Sequence, residues 1–204
     1  FNIFLSRIYS DKILCISDFI KNEFSKGDKK FIRVYIPVKN HKKSLKPKQI
    51  KNKFILTISS TLPHKNLKVF EKIYLNNSQS NLPKNFIIAG VGGEKKIITQ
   101  KNNTIIYLGK IKESEKKWLL KNCEFYLYPS LYEGLGMTLI EALMENKKIL
   151  CSDLKVFRET VGNYPIFIKN PTRISNWKNK IKEINKYKIK KNIISKIVKN
   201  FSSK

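Results

Sequence analysis

Apolar residues fall in short unbroken runs separated by stretches with helical spacing. Phe54-Ile55-Leu56-Thr57-Ile58, Phe86-Ile87-Ile88-Ala89-Gly90, Thr104-Ile105-Ile106-Tyr107-Leu108, Phe125-Tyr126-Leu127-Tyr128, Lys148-Ile149-Leu150-Cys151 and Ile166-Phe167-Ile168 read as strands. They are short and rich in β-branched and aromatic residues. Because they do not alternate apolar with polar, they are expected to be covered on both faces. Between them, Asn66 to Asn76 repeats Leu67, Phe70, Ile73 and Tyr74 on one helical face. Ser114 opens a helix carrying Trp118, Leu119 and Leu120, and Met137 to Glu145 is helical. Strands alternating with helices imply a parallel sheet, and right-handed crossovers make it doubly wound. The expected fold is therefore α/β, a doubly wound, Rossmann-like and mostly parallel sheet of about six strands.

The flanks read differently. Residues 1–38 hold an apolar segment and then Ser17-Asp18-Phe19-Ile20-Lys21-Asn22-Glu23-Phe24, in which Ser17 or Asp18 suits a helix N-cap. Residues 39–53, dense in Lys with one Pro, read as a solvated linker and a domain boundary. Residues 54–172 carry the regular pattern, and residues 173–204 read as two Lys-rich amphipathic helices, the last of them truncated.

Composition narrows the class. A chain of 204 residues accommodates one full domain, or one domain with fragments of a second. With 41% hydrophobic and 11% aromatic residues, disorder of the whole chain is excluded. The longest apolar runs, such as Phe86 to Val91, fall far short of the ~20 residues of a membrane span. The start, Phe1-Asn2-Ile3-Phe4-Leu5, has neither a Met nor a basic leader and reads as part of a longer polypeptide. Three cysteines, Cys15, Cys123 and Cys151, sit among apolar neighbours, as free buried thiols in a reducing cytoplasm would. With no C-x-x-C and only His41 and His64, no zinc or other metal site is expected.

The net charge is +27, carried by 38 Lys and only four Arg against 15 acids. Readers of nucleic acid favour Arg, whose planar fork pairs with phosphate and guanine edges, so no specific nucleic-acid partner is expected. The Lys excess accompanies an excess of Asn and Ile, a compositional trend spread over solvated faces. The charge also suits anionic substrates and peripheral contact with an anionic membrane.

Three loops fall where strand ends meet helix starts, the place where open parallel sheets bind ligands. The first, Ser59-Ser60-Thr61-Leu62-Pro63-His64-Lys65-Asn66, sets Lys65 at a helix start, where the helix dipole repels it unless an anion is near. Lys65 pointing simply at water, and a His64 of purely structural role, are the plainer readings. The second, Gly90-Val91-Gly92-Gly93, ends a strand either as a tight exit or as a close approach for a ligand. The third runs from Pro129 to Leu143 and contains Glu133-Gly134-Leu135-Gly136-Met137 and then Glu141. Its glycines let amide N–H groups converge at a helix start, which makes a cradle for an anion or polyol. Glu133 and Glu141 supply acceptors for hydroxyls; alternatively they only occupy a turn and complement the dipole.

The stretch Glu133-Gly-Leu-Gly-Met-Thr-Leu-Ile-Glu141 closely resembles the E-x7-E motif of the group 1 (family 4) retaining GT-B glycosyltransferases. Pro63-His64-Lys65-Asn66 resembles the family's basic-K-N segment, with His64 in place of the commoner Arg. Ile87 to Gly92 resembles its strand-Ala-Gly turn, Ile106 to Ile111 its L-G-x-V segment, and Asp11 to Phe19 the end of its acceptor-binding domain. The resemblance covers residues 10 to 172.

It implies transfer of a sugar, with retention, from a nucleotide diphosphate-sugar to an acceptor glycan or lipid, without a cofactor or required metal. By that resemblance Lys65, assisted by His64, holds donor phosphate. Glu133 and the amides of Gly134, Leu135, Gly136 and Met137 hold the sugar and its phosphate. Glu141 takes the ribose, Ile111 the base by its backbone, and Gly90 lines the donor site. The family's Arg ahead of the Lys is replaced here by Ser59, Ser60 and Thr61. Most of an N-terminal domain lies outside the chain, so the fragment alone is expected to be inactive. A nucleotide-sugar epimerase and a non-catalytic module for nucleotides or polyanions are the alternative functions.

Overall fold

The computed structural model describes residues 2–34, 36–75, 82–90 and 95–201. The N-terminal flank folds as α1 (Asn2–Tyr9), β1 (Ile13–Cys15), α2 (Asp18–Ser25) and β2 (Phe31–Arg33), with β1 and β2 paired in parallel. Ser17 caps α2, its hydroxyl accepting from the Ile20 amide at 3.1 Å. The stretch that follows is less solvated than its composition suggests. Its lysines are exposed, yet Val38, Pro47 and Ile50 are buried. The Val38 amide donates to the Phe201 carbonyl at 2.8 Å and the Leu45 amide to that of Ser114 at 2.9 Å.

From there the chain alternates. Strand β3 (Phe54–Ile58) leads through a 3-10 turn (Pro63–Lys65) to α3 (Leu67–Leu75), and β4 (Asn85–Ala89) is followed by β5 (Lys96–Gln100) and β6 (Asn103–Gly109). Then come α4 (Glu113–Asn122), β7 (Tyr126–Tyr128), α5 (Met137–Met144), β8 (Ile149–Ser152), α6 (Lys155–Val161) and β9 (Ile166–Ile168). Two helices close the chain, α7 (Ile174–Ile184) and α8 (Lys191–Lys199). The expected helix end at Asn76, and Val91, Gly92 and Gly93 of the second loop, lie outside the described residues.

The main sheet has seven strands in the order β5-β6-β4-β3-β7-β8-β9, all parallel except β5, which runs antiparallel to β6. The sequence reading has about six. The strand it lacks, β5, is an exposed edge whose Ile97 is 65% accessible, so it leaves no buried apolar run to read.

Strand geometry sorts the core into two layers, since successive side chains point to opposite faces. Phe54, Leu56, Ile87, Ile106, Tyr126 and Ile149 meet side chains of α4, α5, α6 and α8. Ile55, Phe86, Ile88, Ile105, Leu127 and Leu150 meet those of α3 and α7. In the second layer Trp177 is fully buried, edge-on to Phe70 with ring centroids 4.6 Å apart, and its indole N–H donates to the Pro171 carbonyl at 2.7 Å. All three cysteines are free and buried, and burial pushes the Cys123 thiol up to about 12. Among the described residues no helix is long and apolar enough to cross a membrane.

Candidate active site

Sheet order fixes where a ligand is received. From β3 the chain builds outward through β4 and β6, then returns to place β7 on the other side of β3 and continues through β8 to β9. The connections leaving β3 and β7 therefore diverge, and a crevice opens between them at the carboxyl ends of the strands. The two loops beside it are residues 59–66 and 129–136.

Backbone chemistry laces these loops together. Pro63 starts the 3-10 turn, and Asn66 ends it in the left-handed conformation at φ 54°, which Asn tolerates better than most residues. From there the Asn66 side-chain amide donates to the Pro129 carbonyl at 3.3 Å and to the Pro171 carbonyl at 3.0 Å. The Leu131 amide donates to the His64 carbonyl at 2.7 Å and the Ser130 hydroxyl to the same oxygen at 3.4 Å. Across this seam Lys65 Nζ lies 2.6 Å from Glu133 Oε1, with side chains only 15% and 11% exposed. Lys65 does not simply point at water: its charge is held against the acid of the facing loop. Burial, and secondarily the Glu133 carboxylate, push the Tyr128 phenol well above its ordinary range, which keeps it neutral at physiological pH.

The two glycines of this loop differ. Gly136 is the N-cap of α5 at φ 86°, and a Cβ there would meet Phe157 Cε1 at 2.9 Å. Gly134 has no such backbone requirement; a Cβ would approach the flexible tip of Ile16 at 3.1 Å. Leu135 is a core residue whose carbonyl accepts from the Thr160 hydroxyl at 2.7 Å, and Met137 is exposed at the helix start. The first amides of α5, from Met137 on, thus open four residues beyond Glu133, with the unsatisfied donors and partial positive charge of a helix start.

The remaining candidates are placed differently. Glu141, one turn inside α5, pairs with Lys116 of α4 at 2.6 Å rather than with Lys65. Gly90 ends β4 at φ 148°, and a Cβ there would lie 2.3 Å from the Ser59 carbonyl oxygen. The close approach at Gly90 is therefore made by the neighbouring strand exit. Ile111, just past β6, packs partly buried against the core.

Three participants left no signal in the sequence reading. Lys116 is one lysine among 38, 25 residues from its partner. Tyr128 reads only as strand. Glu159 of α6 accepts from the Asp18 and Phe19 amides, both at 2.8 Å, and lies 3.8 Å from Arg33 Nε, so it ties α2 and β2 to the main sheet. Glu159→Ala is expected to cost about 1–2 kcal/mol, the size of a lost charged cap. Thermal unfolding checks this, with Glu159→Gln falling between the variant and the parent.

Solved structures of other proteins share this architecture. The Anabaena protein Alr3699/HepE, crystallised with UDP and glucose, superposes with a TM-score of 0.74 over 98% of this chain and 62% of that one, at 14% identity. The lipopolysaccharide outer core galactosyltransferase WaaB, in its apo form, does so with a TM-score of 0.66 over 96% of this chain and 59% of that one, at 19% identity. In sequence, the chain is 26% identical over 176 residues to the O-antigen chain mannosyltransferase RfbU of Salmonella typhimurium strain LT2, covering 83% of this chain and 48% of that protein. The chain thus spans about half the length of this relative. The fold is one half of the GT-B type. Residues 38–201 match the family described as glycosyl transferases group 1, and the chain belongs to that family.

Proposed function

We propose that residues 54–172 form the donor-binding half of a retaining glycosyltransferase that moves a sugar from a nucleoside diphosphate-sugar to an acceptor glycan or lipid. In this reading residues 1–38 belong to the acceptor-binding half, residues 39–53 join the two, and residues 173–201 supply the C-terminal helices that pack on the donor-binding half. The enzyme works in the cytoplasm, and its basic surface favours anionic membranes. The observation that carries the reading is the Lys65–Glu133 pair at 2.6 Å, lodged at the switch point beside the start of α5.

The chemistry follows from charge. Cleaving a glycosyl–phosphate bond leaves negative charge on the departing diphosphate. The Lys65 ammonium and the amides from Gly136 onward meet that charge, and they act most strongly as it develops. Glu133 accepts hydrogen bonds from sugar hydroxyls, and the free oxygen of Glu141 accepts from the ribose. His64, Leu135, Met137 and the Ile111 backbone complete the walls, and the sugar nucleotide is a substrate rather than a cofactor. The complexes of HepE with UDP and glucose support this class of donor.

Calorimetric titration of the 204-residue chain with UDP, GDP, ADP and CDP tests the reading. At least one is expected to bind, and Glu141→Ala to weaken it about tenfold, the effect of one hydrogen bond to a charged acceptor. Failure of all four to bind would refute the donor-site assignment.

A further inference from the structure

Glu141 is held by one oxygen and idle at the other. Its Oε1 accepts from Lys116 Nζ at 2.6 Å, while Oε2 is buried without a hydrogen-bond partner among the described residues. The lysine is clamped from its second side by Glu113 Oε2 at 2.8 Å, and Glu113 in turn lies 3.3 Å from His41 Nε2. Burial alone pulls the Lys116 pKa down. The hydrogen bonds and charges of Glu113 and Glu141 outweigh it, and the lysine ends above its ordinary value. The ammonium therefore stays charged although its side chain is only 18% exposed. Such a clamp restricts the Glu141 carboxylate to one orientation, because rotating it would strip a buried cation of a partner.

A buried carboxylate oxygen with no donor is costly to maintain, and a ligand hydroxyl offsets that cost. We infer that Lys116 is a positioning residue: by pinning Glu141 Oε1 it fixes Oε2 for the ribose hydroxyls and so sets a preference for ribonucleoside over 2′-deoxyribonucleoside diphosphates. The inference rests on the donor-site reading above. A deoxy donor has one hydroxyl fewer and leaves the fixed oxygen less well satisfied. A carboxylate free to rotate turns towards solvent instead and loses the distinction.

The test measures affinity for whichever of UDP, GDP, ADP and CDP binds, beside its 2′-deoxy form, in the parent chain, Lys116→Met and Lys116→Arg. The parent is expected to prefer the ribonucleotide about tenfold or more. Lys116→Met is expected to reduce that ratio to about twofold or less, and Lys116→Arg, which restores the cation, to keep most of it. Because Lys116→Met strands two carboxylates, K116M combined with E113Q serves as a second arm that removes one of them. The same fall in the ratio is expected there, and thermal unfolding confirms that each variant is folded. A merely structural lysine would lower both affinities together, so an unchanged ratio in the folded variants overturns the inference, as does a parent without ribose preference. If no nucleoside diphosphate binds the parent, the donor-site reading itself fails and takes this one with it.

Discussion

Gly90→Ala is expected to destabilise the chain by about 4 kcal/mol, lowering the thermal midpoint by roughly 10 °C. Two penalties combine. The backbone stands at φ 148°, a conformation that costs an L side chain about 1–3 kcal/mol. The added methyl would also lie 2.3 Å from the Ser59 carbonyl oxygen and 2.8 Å from its carbon, both main-chain atoms. Neither partner can retreat cheaply. The Ser59 amide donates to the Ala89 carbonyl at 2.8 Å and the Gly90 amide to the Gly109 carbonyl at 3.0 Å, so the exits of β3, β4 and β6 are locked to one another. Gly27→Ala is the control: φ is 88°, but nothing lies within 4 Å of the added carbon, so only the conformational cost of about 1 kcal/mol remains. Equal midpoints for the two variants would show that the strand exits yield more readily than their hydrogen bonds indicate.

The same residue shows what a sequence conveys and what it withholds. A glycine at a strand end announces a close approach, but not which group approaches; at Gly90 it is the backbone of Ser59. The central strands were readable because burial on both faces leaves an unbroken apolar run, as in Phe86 to Ala89. The edge strand β5 was not, because Lys96, Ile97, Thr99 and Gln100 are exposed on both of its faces. The loop from Glu133 to Met137 was legible through its local spacing of acid, glycines and helix start. The partners of its acids were not. Lys65 lies 68 residues from Glu133, and Lys116 25 residues from Glu141, separations that only sheet order and helix packing bring together. Nor did the glycine pair announce that Gly136 carries the left-handed turn while Gly134 does not.

Lys65→Ala is expected to weaken binding of a nucleoside diphosphate about 100-fold at 0.1 M salt. Removing the ammonium forfeits a charge-assisted contact to phosphate of ~1.5–3 kcal/mol. It also leaves Glu133, only 11% exposed, as an unneutralised carboxylate facing an incoming anion. The second effect separates this lysine from an ordinary surface charge, and a double-mutant cycle isolates it. Glu133→Ala relieves the repulsion, so the loss in the double variant is expected to fall short of the sum of the single losses by about 1–2 kcal/mol. Salt supplies an independent check. Screening acts over about 10 Å at 0.1 M but about 3 Å at 1 M, so the ratio between parent and Lys65→Ala is expected to narrow as salt rises. A lysine that serves only to stitch the two loops predicts the opposite pattern. Its removal would lower the thermal midpoint, leave nucleotide affinity within about twofold at every salt concentration, and give additive losses in the cycle.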